Sequence, residues 1–207
     1  MNRREWAAAL AVLDKEIGRK KTELGFRSHF QFAVAVIMSA QATDKSVNLA
    51  TPALFKAAPT PAAMVRLGEA GVARFIKTIG LWRAKSHNIV AMSEKLLSEH
   101  GGQLPRTREE LMSLPGIGRK SANVIMNELW GAPTIGVDTH VLRLARRLGI
   151  DASGDPLAVE MTLEKITPAE YKPYVSNFLV LFGRYRCKAV RPECGGCKLA
   201  RWCDGAV

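Results

Sequence analysis

The sequence predicts an all-α fold, and three observations carry that prediction. Apolar residues recur at the intervals of a helix face, alternating period-2 runs are absent, and short Gly, Pro, Ser or Asn signals separate the periodic segments. Helices are expected over 5–17, 29–40, 44–56, 61–67, 70–78, 84–99, 107–114, 119–130, 139–148, 156–166 and 170–183. Within the second of these, Phe32 to Met38 is an apolar run suited to a buried helix segment and far short of the ~18 residues of a membrane span. Over 107–114, Thr107-Arg108-Glu109-Glu110 reads as a capping-box start, Leu111 and Leu114 give an apolar side, and Pro115 stops the helix. Over 119–130, Ala122, Ile125, Met126 and Leu129 fall at i, i+3, i+4 and i+7, and Gly131 ends the pattern. Over 139–148, Asp138 is an N-cap by type and position, and Val141, Leu142, Ala145 and Leu148 are the expected core face. The best-marked boundary is Trp130-Gly131-Ala132-Pro133, after which the chain becomes more basic.

The 107–130 pair forms a helical hairpin around Leu114-Pro115-Gly116-Ile117-Gly118-Arg119-Lys120. Gly116 and Gly118 can take positive φ and carry no side chain, so their N–H groups can approach an anion where a helix N-terminus adds about half a positive charge. A phosphate is the natural guest. A Walker A loop needs Gly directly before Lys, whereas Arg119 stands there, and a dinucleotide fingerprint needs Gly where Ser121 stands. No strand-like run precedes the turn, as both of those motifs require. An ordinary helix connection is the bland alternative, since Pro and Gly are common breakers.

Charge points to the owner of that phosphate. Lys and Arg number 30 against 19 Asp and Glu, for a formal charge of +11, and such a surface favours a polyanion with salt-sensitive binding. The excess is uneven: Arg143, Arg146 and Arg147 crowd one helix, and Arg184, Arg186, Lys188 and Arg191 crowd the approach to the cysteines. With 47% hydrophobic residues in 207, the chain has ample material for a buried core in one or two domains. The N-terminal residues are not followed by a signal-peptide apolar core and cleavage site together, so a cytoplasmic protein without a membrane partner is expected.

All four cysteines lie in the last 21 residues as Cys187-x6-Cys194-x2-Cys197-x5-Cys203. Four converging thiolates imply a metal centre, and Gly195 and Gly196 free the backbone to wrap around it. Disulfides are disfavoured in a reducing compartment. Zinc sites usually pair two C-x2–4-C knuckles and one is present here, so spacing alone leaves zinc and an iron–sulfur cluster both open.

Four segments taken together carry a resemblance: Leu114 to Lys120 with Ser121-Ala122-Asn123, Val137-Asp138-Thr139-His140, Ser39-Ala40-Gln41-Ala42-Thr43-Asp44, and the C-x6-C-x2-C-x5-C terminus. In that order they resemble the endonuclease III family, bifunctional DNA glycosylase/AP lyases of the helix–hairpin–helix superfamily, nearly from end to end. The resemblance implies a [4Fe–4S] cluster on Cys187, Cys194, Cys197 and Cys203. It also implies two helical domains with a DNA-binding groove between them, expected at 22–132 with the hairpin and at 1–21 plus 133–207 with the cluster loop. The implied partner is double-stranded DNA containing damaged bases or abasic sites, bound by a monomer that is nucleoid-associated while on DNA.

The resemblance also assigns roles. Gln41 and Leu81 are the implied plug and wedge that fill the gap when a nucleotide is flipped out of the stack; Leu81 is otherwise a helix-end leucine of the ordinary buried kind. Trp82 follows the wedge, and its bulk bears on how the duplex opens. Lys120 is the implied nucleophile at C1′, with desolvation, the helix N-terminus and neighbouring Arg119 favouring its neutral amine. In a non-catalytic hairpin it would touch phosphate instead. Asp138 is the implied partner, able to take a proton or stabilise the sugar as the base leaves. Gly116, Gly118 and Arg119 hold phosphate, His140 contacts DNA or packs, and Lys188 and Arg191 touch the backbone of the duplex. The alternatives are an adenine mismatch-type monofunctional glycosylase and a non-enzymatic iron–sulfur DNA-binding module.

Overall fold

The computed structural model describes residues 1–19 and 22–205. Among the described residues there is no strand, and ten α-helices and two short 3-10 turns make up the regular structure. The helices are α1 (Arg3–Ile17), α2 (His29–Ser39), α3 (Asp44–Ala57), α4 (Pro61–Ile76), α5 (Trp82–Glu99), α6 (Arg108–Met112), α7 (Arg119–Trp130), α8 (Thr139–Arg147), α9 (Pro156–Ile166) and α10 (Val175–Tyr185). The chain divides into two compact units, Met1–Thr22 with Trp130–Val207, and Glu23–Leu129. The edges expected from sequence were 22 and 132; residue 21 and the expected end at 207 lie outside the described residues. No described helix is long and apolar enough to cross a membrane.

Most helices begin where a side chain can satisfy their free N–H groups. Asn2 and Glu5 form a full capping box that starts α1 two residues earlier than expected. Ser28, Thr43, Thr60, Thr107, Asp138 and Asp155 cap α2, α3, α4, α6, α8 and α9, and Pro61 and Pro156 open their helices in the turn where a missing N–H does no harm. Two starts lack a side-chain cap: Leu81 before α5 and Tyr174 before α10.

In the unit Glu23–Leu129, α2 is buried from Phe30 to Met38, as the apolar run predicts, because a helix that is hydrophobic all round has no solvent face. Leu54, Met64, Ile76, Ile79, Ile89 and Met92 of the same unit are buried as well. The two helices expected at 61–67 and 70–78 are both present within α4, divided at Gly68, whose φ of 68° and ψ of 168° break the helical path between them. Helix α6 is shorter than the expected 107–114 because its end tightens: Ser113 N–H reaches both Glu109 and Glu110 carbonyls, and Leu114 N–H turns back to Leu111.

In the other unit, Trp6, Leu10 and Leu13 of α1 pack with Val141, Leu144 and Ala145 of α8, Val159 and Leu163 of α9, and Phe178 and Leu179 of α10. Trp6 is fully buried and its indole N–H donates to Thr167 at 2.9 Å. The core face of α8 differs from expectation at one position: Leu144 is buried and Leu142 only half-buried. Helix α10 begins at Val175 rather than 170, after a 3-10 turn over Ala169–Tyr171; Pro173 lacks an N–H and restricts the residue before it.

Candidate functional site

Helix α5 is the spine on which the unit Glu23–Leu129 arranges its candidate residues. At its start, Leu81 adopts φ 60° and stands 57% exposed, so the expectation of a possible buried helix-end leucine does not hold. In mid-helix, Asn88 meets the hairpin turn: a Cβ on Gly116 would lie 3.0 Å from Asn88 Cβ, and Gly116 itself has φ 82°. Both conditions demand glycine there. Near its end, Lys95 Nζ donates to the Ser113 carbonyl at 3.0 Å, pinning the first helix of the hairpin.

The hairpin turn has one left-handed glycine rather than two. Gly118 is not in the positive-φ region; its carbonyl accepts the first backbone bond of α7, from Ala122 N–H at 2.9 Å, so it serves as the entry to the helix. Ile117 is buried under the turn while Gly116, Gly118 and Lys120 face solvent. Lys120 is the second residue of α7, and Arg119 is half-buried with a partner of its own.

Gln41 has φ 51° and is exposed, in the loop between α2 and α3. That loop lies against the one carrying Leu81, since a Cβ on Gly80 would stand 3.7 Å from the Gln41 carbonyl oxygen. Trp82 is half-buried, with the Arg83 guanidinium 4.2 Å from its ring centre. Beneath, Lys85 is buried with no hydrogen-bond partner for Nζ, and burial lowers its pKa from the ordinary lysine value.

In the unit Met1–Thr22 with Trp130–Val207, Asp138 is half-buried, and its Oδ1 accepts from the N–H groups of His140 at 2.8 Å and Val141 at 2.9 Å. His140 points its Nδ1 to within 3.0 Å of an Arg143 nitrogen. At Gly183, α8 and α10 come so close that a Cβ would lie 3.0 Å from both His140 Cβ and the Arg143 guanidinium.

The cysteines converge. Cys187, Cys194, Cys197 and Cys203 line one small open cavity of about 30 Å³ with Arg147, Arg186 and Glu193, and none is in a disulfide. Among the described residues no three or more His, Cys, Asp or Glu side chains stand close enough together to hold a metal ion. Burial pushes the Cys203 thiol up, and the other three cysteines add to the shift. Gly196, at φ 71°, turns the chain between Cys194 and Cys197. A donor set of four sulfurs suits a soft metal centre.

Sequence reasoning missed the arginines that hold this loop, taking them for a binding face. Arg143 donates to the carbonyls of Cys187 and Gly183, Arg147 to Cys187 Sγ and the carbonyls of Lys188 and Ala189, and Arg186 to the carbonyls of Gly195 and Gly196. The i, i+4 spacing of Arg143 and Arg147 on one helix was the available signal. Lys188 also has a partner within the loop: Nζ bonds Glu193 Oε1 at 2.7 Å, and this lowers the Glu193 pKa. Arg191, at φ 52°, is exposed.

Comparison with known proteins agrees with this arrangement. Residues 34–169 match the HhH-GPD superfamily base excision DNA repair protein family. The chain is 44% identical over 204 residues to endonuclease III of Haemophilus influenzae and to that of Escherichia coli, in each case covering 99% of this chain and 97% of the relative. A solved structure of a trapped endonuclease III–DNA covalent intermediate superposes with a TM-score of 0.95 at 38% identity, covering 99% of this chain and 96% of that one. A non-covalent endonuclease III–DNA complex superposes with a TM-score of 0.94 over the same shares. The chain belongs to the endonuclease III family, within the HhH-GPD superfamily of base excision DNA repair proteins.

Proposed function

We propose that the chain removes oxidised pyrimidines from duplex DNA and cleaves the abasic site that results. As a member of its family it is a DNA glycosylase and AP lyase. The observation that carries the reading is Lys120 at the second position of α7, past the left-handed Gly116 turn, in a chain so similar to one trapped covalently on DNA.

In this reading the damaged nucleotide leaves the stack, because C1′ is inaccessible within it. Leu81 enters the gap as a wedge, and Gln41 bonds the orphaned base. The N–H groups around Gly116 and Gly118, with Arg119, hold a phosphate and leave Lys120 free. Bound DNA covers the exposed lysine and excludes water from around it. Nζ then attacks C1′ and the base leaves with the glycosidic electron pair; Asp138 takes a proton from the attacking nitrogen and steadies the positive sugar. Ring opening gives a Schiff base, loss of a C2′ proton breaks the C3′–O bond, and the 3′ phosphate departs. His140, Lys188 and Arg191 contact the duplex from the other unit, with Lys188 exchanging Glu193 for phosphate.

Cys187, Cys194, Cys197 and Cys203 would hold a [4Fe–4S] cluster, and the all-sulfur donor set fits one. When bound, the cluster supplies four metal–thiolate bonds that fix the shape of a basic loop. The protein works as a cytoplasmic monomer, on the nucleoid while bound to DNA.

The test is borohydride reduction in the presence of duplex DNA bearing thymine glycol or an abasic site. The wild-type protein is expected to form a covalent adduct that Lys120→Ala abolishes. Strand cleavage without an adduct, or an adduct that survives the substitution, overturns the assignment. Visible charge-transfer absorption of the purified protein tests the cluster, since a zinc protein is colourless.

A further inference from the structure

We propose that Arg147 is a positioning residue for the metal centre, holding both ends of the cysteine segment and donating a hydrogen bond to one of its sulfurs. The inference rests on the reading of the four cysteines as metal ligands. Arg147 lies in the last turn of α8. One guanidinium nitrogen donates to Cys187 Sγ at 3.1 Å and to the Lys188 carbonyl at 2.9 Å, and the other donates to the Ala189 carbonyl at 3.3 Å. Its own carbonyl accepts from Asp204 N–H at 2.8 Å, directly after Cys203. A Cβ on Gly205 would stand 3.5 Å from Arg147 Cγ and 3.9 Å from Cys203 Sγ. The first and last cysteines are thus tied to one residue of a rigid helix, although 16 positions separate them.

Charge gives the contact its consequence. The contact fixes a cation beside one of the four sulfurs, with an N–H directed at it. Hydrogen bonds to cluster sulfurs also draw density from the ligand, which favours the more negative, reduced state and raises the reduction potential. The planar fork is needed for three acceptors at once; a lysine keeps the charge and loses the geometry. Arg143 and Arg186 bond carbonyls of the loop instead.

The experiment compares holoprotein of the wild type with Arg147→Met, Arg147→Lys and Arg146→Met, the last removing an equal charge from an exposed neighbour. Loss of visible absorption under a chelator, the metal-to-protein ratio and the midpoint potential without DNA are measured. Arg147→Met is expected to lose metal about tenfold faster, with a more negative potential. Arg147→Lys falls between, and Arg146→Met matches the wild type. Equal retention and potential in Arg147→Met and Arg146→Met overturn the proposal. If Arg147→Met is not recovered folded, Arg147→Lys against Arg146→Met decides by the same two readouts. Should the wild type hold zinc, the cluster reading fails, and zinc retention in the same variants still decides the role of Arg147.

Discussion

The backbones of Gln41 and Leu81 both lie in the left-handed region, at φ 51° and 60°, and the loops that carry them touch through Gly80. Among the described residues only Arg191 shares that conformation without being glycine. A left-handed leucine is sterically unfavourable by roughly 1–2 kcal/mol, and the exposed side chain recovers little of it by burial. Strain of this kind persists where surrounding structure holds it, and it aims both side chains outward.

The first prediction separates that strain from its use. Leu81→Gly is expected to be more stable than Leu81→Ala by about 1 kcal/mol, because glycine accepts the backbone without penalty. Both variants lose the wedge and bind lesion-bearing duplex more weakly. Chemical denaturation alongside binding titrations checks both parts, and an alanine variant as stable as the glycine one contradicts the account of strain.

Asp138 combines a cap and a carboxylate, and two substitutions divide them. Asn caps nearly as well as Asp, so Asp138→Asn is expected to keep the stability of the wild type, while Asp138→Ala loses about 1 kcal/mol. Single-turnover excision falls by about a hundredfold or more in both, since neither can take a proton. Thermal melts and quenched-flow assays read the two effects separately.

Salt provides a third test. Each phosphate contact removed lowers the slope of log K against log salt concentration by about 1. Arg191→Ala is expected to show that change. Lys188→Ala shows a smaller loss of affinity at low salt, because the wild-type lysine must first give up Glu193.

The fourth concerns pH. Asp151 accepts hydrogen bonds from Ser153 N–H at 2.8 Å, from the Ser153 hydroxyl, and from the Thr162 hydroxyl at 2.9 Å, and the Ser153 bonds above all lower its pKa. A depressed folded-state pKa gives stability that is present above the ordinary aspartate value of about 3.9 and lost as pH falls through the folded one. Melting temperature is therefore expected to drop below about pH 4, less steeply in Asp151→Asn than in the wild type. Identical acid limbs for the two proteins contradict it.

Elements with a local signature were legible in the sequence. Asp138 before an apolar-periodic run gave the start of α8, and the Pro115–Gly118 turn gave the hairpin. What stayed hidden depends on distant partners. That Leu144 rather than Leu142 is buried depends on the direction from which α1 and α10 approach α8. Arg147 looked like surface charge because its acceptors lie some 40 residues away. The Lys188–Glu193 pair was within reach of sequence reasoning, but nothing local distinguishes a lysine that bonds its own loop from one that waits for phosphate.

The pairing of α1 with α10 in one core has a consequence during synthesis. Residues Glu23–Leu129 are contiguous, so that unit can fold as soon as it clears the ribosome. Helix α1 is translated long before α10, so Trp6, Leu10 and Leu13 wait for Phe178 and Leu179 to complete their core. At about 5–20 residues per second, that leaves an apolar helix face waiting on the order of ten seconds or more.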